Sequence, residues 1–398
     1  MKLTVTTQMH QNLNVDIAFF LPNLEAGGAE GAIVALANSL ASQGLHVSLV
    51  LSNAKGPFLA AVSPAVRVEN LSATGPTGKM GTIFRLASYM KTCGPRSMMS
   101  SLDVPNVQLV AAARLARYKG LIAIGQRATI GPVYERFGYV RKTVYLTAMR
   151  LAYPCADVVI CNSSAAADEV CALFGMGRDR VISIHNSVDS ERINRLANAE
   201  LTDRWLLGQN TPLILSVGSI THLKDRLTLI KAFALVSERR AARLAIVGAS
   251  YEPEEHAKVV NLISELGLSE QVRLCGFDPN PYRWMRYAAV LVSSSLTEGC
   301  PNQILEGLAL GIPIVATDCP GGTGELLEQG KWGRLVPVAD IHGMADAILE
   351  TLDDVDPRDG RLRAADFSPL RVTSAYMSVL MRPGVAAMTS ADGSTPRS

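Results

Sequence analysis

Apolar runs of strand length, several of them closed by a glycine and separated by helix-length intervals, set the strongest limit on how this chain can fold. In the second half they are LILSVG (213–218), LAIVG (244–248), VRLCG (272–276), Ala288–Ser295, PIVATD (313–318) and GRLVPV (333–338). Such runs suit strands buried on both faces, and their alternation with helices implies an α/β fold with a parallel, doubly wound sheet whose ligands bind beyond the carboxyl ends of the strands. The first half opens the same way. VDIAFFLP (15–22) leads into a helix with an apolar stripe of Ile33, Val34, Leu36, Ala37 and Leu40, stopped by Gly44, and VSLVL (47–51) returns as a strand. ADVVICNS (156–163) and RVISIHNSVD (180–189) read as the last strands of that half. A length of 398 residues with 48% hydrophobic content suits two domains, 1–189 and 209–366. The polar stretch 190–208 reads as their linker, 367–381 as a helix packing back on the first domain, and the Gly/Ser/Pro-rich 382–398 as a disordered tail.

Within the second half, Glu298 and Glu306 bracket a Gly299-Cys300-Pro301-Asn302 turn, in which Asn302 is expected to cap a helix ending at Gly311. A strand, a loop and a helix N-terminus in that order present free backbone N–H groups and a partial positive charge, which suits a phosphate. The two acids can reach one ligand from different sides, as sugar or ribose hydroxyls require. A second candidate lies earlier, where Gly218 and Ser219 end a strand and Lys224 stands just before a helix, placed to set its ammonium on a diphosphate. In the first half the loop Glu25–Glu30, with Gly28, allows close backbone approach at a helix N-terminus.

The stretch Ser293–Gly322 resembles the C-terminal signature of glycosyltransferase family 4, retaining enzymes of GT-B fold in which both glutamates contact the nucleotide sugar. The resemblance extends from Ile17 to about Met381. It implies two Rossmann-like domains facing a cleft. By resemblance Glu298 holds sugar hydroxyls, Glu306 the ribose hydroxyls, Gly299–Asn302 offers backbone donors, and the loop Gly276-Phe277-Asp278 meets the base. Gly28 lies in a segment like the family's GGAE loop facing the donor phosphates and the acceptor, and His185–Asp189 is similar to its N-x-V-D segment. Three departures stand out. Gly31 and Ser219 replace arginines common in the family, with His222 or Arg127 as substitutes for the second. At Gly125-Gln126-Arg127 the usual active-site histidine is missing, which leaves Gln126 or Arg127 to line the site.

The activity implied is transfer of a hexosyl or N-acetylhexosaminyl group from a nucleotide-diphosphate sugar, UDP-linked in preference to GDP-linked, to a glycan or lipid-linked glycan in cell-surface polysaccharide synthesis. Glu298 and Lys224 are the catalytic candidates. No D-x-D pair precedes the donor site, so neither a metal nor another cofactor is required, and a departing phosphate oxygen can take the acceptor proton. A nucleotide-sugar epimerase and a non-catalytic sugar-nucleotide-binding subunit are the alternatives. The net charge of +2 argues against a nucleic-acid partner. Yet Pro76–Arg150 holds twelve Lys and Arg against Asp103 and Glu135 alone, an attraction for an anionic membrane. Seven cysteines without a C-x-x-C pair fit a reducing cytosol. No apolar stretch is long enough to span a bilayer, so any membrane association is peripheral.

Overall fold

The computed structural model describes residues 14–25, 28–72, 78–135, 137–207, 211–354 and 358–382. They divide into two compact units, one reaching His185 and resuming at Pro369, the other Asn186–Ser368. The tail beyond Arg382, Ala26 and Gly27 of the first glycine loop, and the end of the expected linker at Gly208 lie outside the described residues.

The first unit holds strands β1 (Ile17–Leu21), β2 (Val47–Leu51), β3 (Arg67–Asn70), β4 (Ser97–Ser101), β5 (Leu121–Gln126), β6 (Val158–Cys161) and β7 (Val181–Ser183). They form one seven-stranded sheet in the order β3-β2-β1-β4-β5-β6-β7, with every pairing parallel. The second unit holds β8 (Leu213–Val217), β9 (Arg243–Val247), β10 (Val272–Gly276), β11 (Ala288–Ser293), β12 (Ile314–Thr317) and β13 (Arg334–Val336), ordered β10-β9-β8-β11-β12-β13 and again all parallel. Each sheet winds outward in one direction and then crosses to its other side, so each has a switch point, at β1/β4 and at β8/β11. Both units are thus Rossmann-like, as the alternation of strands and helices implies.

Side-chain alternation explains why strands inside each sheet, such as β1, are apolar at successive positions, whereas the edge strand β3 carries Arg67, Glu69 and Asn70. In β1, Ile17, Phe19 and Leu21 join one hydrophobic cluster while Ala18 and Phe20 join the cluster on the opposite face. In β8, Leu213 and Leu215 face one cluster and Ile214 the other. A strand covered by helices on both sides has no solvent face on which to place polar residues.

Two connecting segments differ in character from an open chain. Residues 190–208, expected to be a linker, carry the helices Ser190–Ala197 and Arg204–Leu207, and Ile193, Leu201 and Leu206 are buried in the second unit's core. Asp189 caps the first of these by accepting from Arg192 N at 2.9 Å. The first of these helices is short and charged, and Ile193 and Ala197, four apart, share the one face that docks it. The last helix, Pro369–Leu380, returns to the first unit. Val372, Tyr376, Val379 and Leu380 pack with β1 and β2 residues, and Thr373 Oγ1 donates to Ser39 Oγ at 2.8 Å.

Leu380 is fully buried at the end of that helix. Leu380→Ala should destabilise the first unit by about 2–5 kcal/mol, and Leu380→Met by less than about 1.5 kcal/mol. Calorimetric unfolding would check this; equal, negligible effects would mean the helix is not part of that core.

Candidate functional site

At the second switch point, the segments following β8 and β11 are adjacent because their strands pair. After β8 the chain turns at Gly218, whose φ of 128° disfavours any side chain. The neighbouring Gly248 is equally constrained, since a Cβ there would collide with Gly218 O. A 3₁₀ turn, His222–Lys224, follows, and Asp225, left-handed at φ 40°, caps the helix Arg226–Arg239 by accepting from Thr228 N at 3.2 Å.

The segment after β11 is sewn to this turn by Leu296 N donating to Leu223 O at 2.9 Å and Ser294 Oγ to Lys224 O at 2.8 Å. Lys224 Nζ and Glu298 Oε1 form an ion pair, both side chains mostly buried, and Ser295 Oγ donates to the same Glu298 oxygen at 2.6 Å. On its other side Glu298 N donates to Pro320 O at 3.0 Å, and Gly322 N to Gly299 O at 2.8 Å. Gly321, at φ 124°, has no room for a side chain, because a Cβ would collide with Glu298 O. Glu298 is therefore held by three segments.

The turn Gly299–Asn302 leads into the helix Asn302–Leu310. Asn302 does not cap it. Pro301 occupies the cap position without a side-chain bond, and Asn302, the first helical residue, accepts instead from Asn186 Nδ2 at 2.8 Å, which also reaches Cys300 O at 3.2 Å. The Cys300 side chain is buried and accepts from Asn186 N at 3.4 Å. One turn into the helix, Glu306 accepts from Tyr282 OH at 3.1 Å. Burial pushes the Glu306 carboxyl up to about 7, against the opposing pulls of the Tyr282 hydroxyl and the Arg192 charge.

The second unit thus brings Gly218, Ser219, Lys224, Glu298, Gly299, Cys300, Pro301, Asn302 and Glu306 onto the segments that follow β8 and β11. Phe277 follows Gly276, left-handed at φ 71°, and is 68% exposed, whereas Asp278 is turned inward to accept from Trp284 Nε1 at 2.7 Å and Arg283 Nε at 2.9 Å. Gly218, Gly248 and Gly276 stand at the ends of the adjacent strands β8, β9 and β10, a ledge of bare backbone from Lys224 toward Phe277.

Gly28 belongs to the first unit, exposed at the start of the helix Gly28–Ser42. There too lie the candidates for the missing histidine. Gln126 is buried, accepting from Tyr153 OH at 2.6 Å and donating to Ala128 O at 2.8 Å, so its amide is committed to the fold. Arg127, partly exposed, donates to Ser101 Oγ at 2.7 Å. His222 is exposed, with its backbone N bonded to Glu252 at 2.9 Å. Sequence reading missed Ser295, a local partner three residues before Glu298, and Tyr282 and Arg226, whose contacts with Glu306 and Gly218 are made by the fold.

Two family models match the chain: "Glycosyltransferase Family 4" over residues 26–192 and "Glycosyl transferases group 1" over 211–354. Among similar proteins, a Campylobacter jejuni N-acetylgalactosamine-N,N'-diacetylbacillosaminyl-diphospho-undecaprenol 4-alpha-N-acetylgalactosaminyltransferase is 27% identical, the match covering 92% of this chain and 99% of the relative. The lipopolysaccharide core biosynthesis glycosyltransferase LpsE of Rhizobium meliloti is 26% identical over 89% of this chain and 96% of its own. Among solved structures, Anabaena HepE in complex with UDP-glucose superposes with a TM-score of 0.77 at 20% identity, covering 92% of this chain and 99% of that one, a likeness of fold.

The raised Glu306 carboxyl has a thermodynamic signature. Between the ordinary Glu value and about 7 the folded protein binds a proton that the unfolded chain releases, so this group's contribution to stability falls as pH rises through that window. Glu306→Gln, which removes the charge, should therefore raise the melting temperature more at pH 8 than at pH 5. A pH-independent difference between the two proteins would refute the shift.

Proposed function

The chain belongs to glycosyltransferase family 4, enzymes of GT-B fold acting on nucleotide-sugar donors, and from that premise we propose that it transfers a hexosyl or N-acetylhexosaminyl group, with retention, from a UDP-sugar to a lipid-linked or other glycan of the cell surface. The observation that carries the donor half of this reading is the meeting of the Lys224 turn and the Glu298 segment at one switch point.

Lys224 and Glu298 neutralise each other in the free protein. An arriving diphosphate offers Lys224 a stronger partner, and Glu298, released but still held by Ser295 and its backbone, turns to the sugar hydroxyls. Glu306 takes the ribose, the first amides of the helix Asn302–Leu310 face the phosphates, and Phe277 stacks on the base. As the sugar–phosphate bond breaks, charge grows on the leaving diphosphate, where Lys224 is already placed, so the donors that matter are preorganised. The leaving oxygen takes the acceptor proton.

On the acceptor side, the first-unit helix Tyr139–Ala152 has no acidic residue and exposes Tyr139, Val140, Val144 and Leu151 beside Arg141, Lys142 and Arg150. Apolar side chains among cations suit an anionic bilayer surface holding a diphospho-lipid acceptor, the kind named for the Campylobacter relative. Among the described residues no helix is long and apolar enough to cross a membrane, and the attachment proposed is peripheral, on the cytoplasmic face.

Lys224→Ala should cost on the order of 10² to 10³ in turnover, and EDTA should change the wild-type rate little. Strong EDTA inhibition with a mild Lys224→Ala effect would show a metal carrying the diphosphate charge. Glu298→Ala should lower turnover more than donor affinity, and Glu306→Ala the reverse; wild-type kinetics in both would displace the donor site. UDP binding without turnover on any acceptor would favour the alternative of a non-catalytic subunit, for which Ser219 and the absent histidine argue. Replacing Arg141, Lys142 and Arg150 by Gln should abolish flotation with anionic vesicles at low salt, and flotation unaffected by the change or by high salt would remove the membrane reading.

A further inference from the structure

Arg226 is fully buried and the largest side chain so enclosed among the described residues. It opens the helix Arg226–Arg239, directly after the Lys224 turn. Its guanidinium donates through Nη2 to Gly218 O at 2.9 Å and through Nη1 to Ser216 Oγ, which in turn donates to Val292 O at 2.6 Å, while Nε has no partner. These acceptors are neutral. The carboxylates that act on it, Glu298 and Asp225, are engaged elsewhere, the first by Lys224 and Ser295, the second by Thr228 N. Burial outweighs their pull and holds the group down at about 10, so the positive charge is under-compensated where it stands.

Its aim is specific. A Cβ built on Gly218 would lie 3.2 Å from Arg226 Nη2 and 3.8 Å from Lys224 Cε, so both side chains pack against this one residue of the turn. A charge enclosed in protein is weakly screened, and its field extends through the thin glycine backbone that covers it. Ser219, next in the chain, contributes no charge of its own.

We propose that Arg226 is a positioning residue for the donor's diphosphate: it pins the Gly218 carbonyl of the turn and supplies the second positive charge that Ser219 lacks. This rests on the donor site being where the preceding section places it. A residue needed only for the fold would affect every ligand alike, whereas one acting on the diphosphate distinguishes ligands that carry it from those that do not.

The test compares UDP, uridine and inorganic pyrophosphate by calorimetric titration. In Arg226→Met, affinity for UDP and pyrophosphate should fall about tenfold or more with uridine within about twofold of wild type. Arg226→Lys should keep the UDP-to-uridine ratio, and adding Ser219→Arg to Arg226→Met should recover much of the loss. Equal losses for UDP and uridine, or no loss for either, would overturn the proposal. If Arg226→Met does not fold, Arg226→Lys decides, because a tenfold fall in its UDP-to-uridine ratio is incompatible with a role carried by charge. Wild-type protein that binds neither UDP nor pyrophosphate would sink the donor reading and the proposal with it, whereas wild-type UDP binding that Arg226→Met leaves intact would sink the proposal alone.

Discussion

Parallel pairing of β8 with β11 is the constraint on which the candidate site depends. The segments that follow these two strands are bonded to each other, and the helices they lead into pack on opposite faces of the sheet, Arg226–Arg239 on one and Asn302–Leu310 on the other. The ladder fixes how far each segment reaches before it turns: Leu213 sits against Ala288, and Leu215 against Leu291. A residue inserted in either strand would move Lys224 relative to Glu298 and break their ion pair.

Glycine makes the room usable. At Gly218, Gly248 and Gly321 a side chain would strain the backbone or strike a carbonyl, so these residues let segments from four strands close on one another. The charged groups in that space are poorly solvated and only partly compensated. Lys224 and Glu298 are paired, Arg226 is buried on neutral acceptors, and the Glu306 carboxyl is pushed up to about 7. The buried Arg226 and Glu306 oppose stability of the free protein, the usual conflict between a stable fold and a prepared site.

The first unit uses charge differently. Asp103, one of two acids in its basic stretch, is bonded to the Tyr134 hydroxyl, and burial raises its carboxyl above the usual range. Arg141 and Arg150 of the helix Tyr139–Ala152 are exposed, and Arg141 lies over the Phe137 ring at 4.3 Å.

The sequence by itself determined the α/β class, both Rossmann-like sheets and the grouping of Lys224 with the Glu298–Glu306 segment, because unbroken apolar strands, glycine ends and helix stripes are local signals that side-chain burial enforces residue by residue. Phe277, in the loop expected to meet the base, stands exposed. Only the tertiary structure decided the rest. The segment after Asp189 became helix because a few apolar residues found the second unit's core, and Gln126 was taken into a buried network by Tyr153, twenty-seven residues on. Arg226 reads in sequence as an ordinary surface residue at a helix start; its burial follows from the closing of β8 and β11 over it, an outcome fixed by residues more than sixty positions apart.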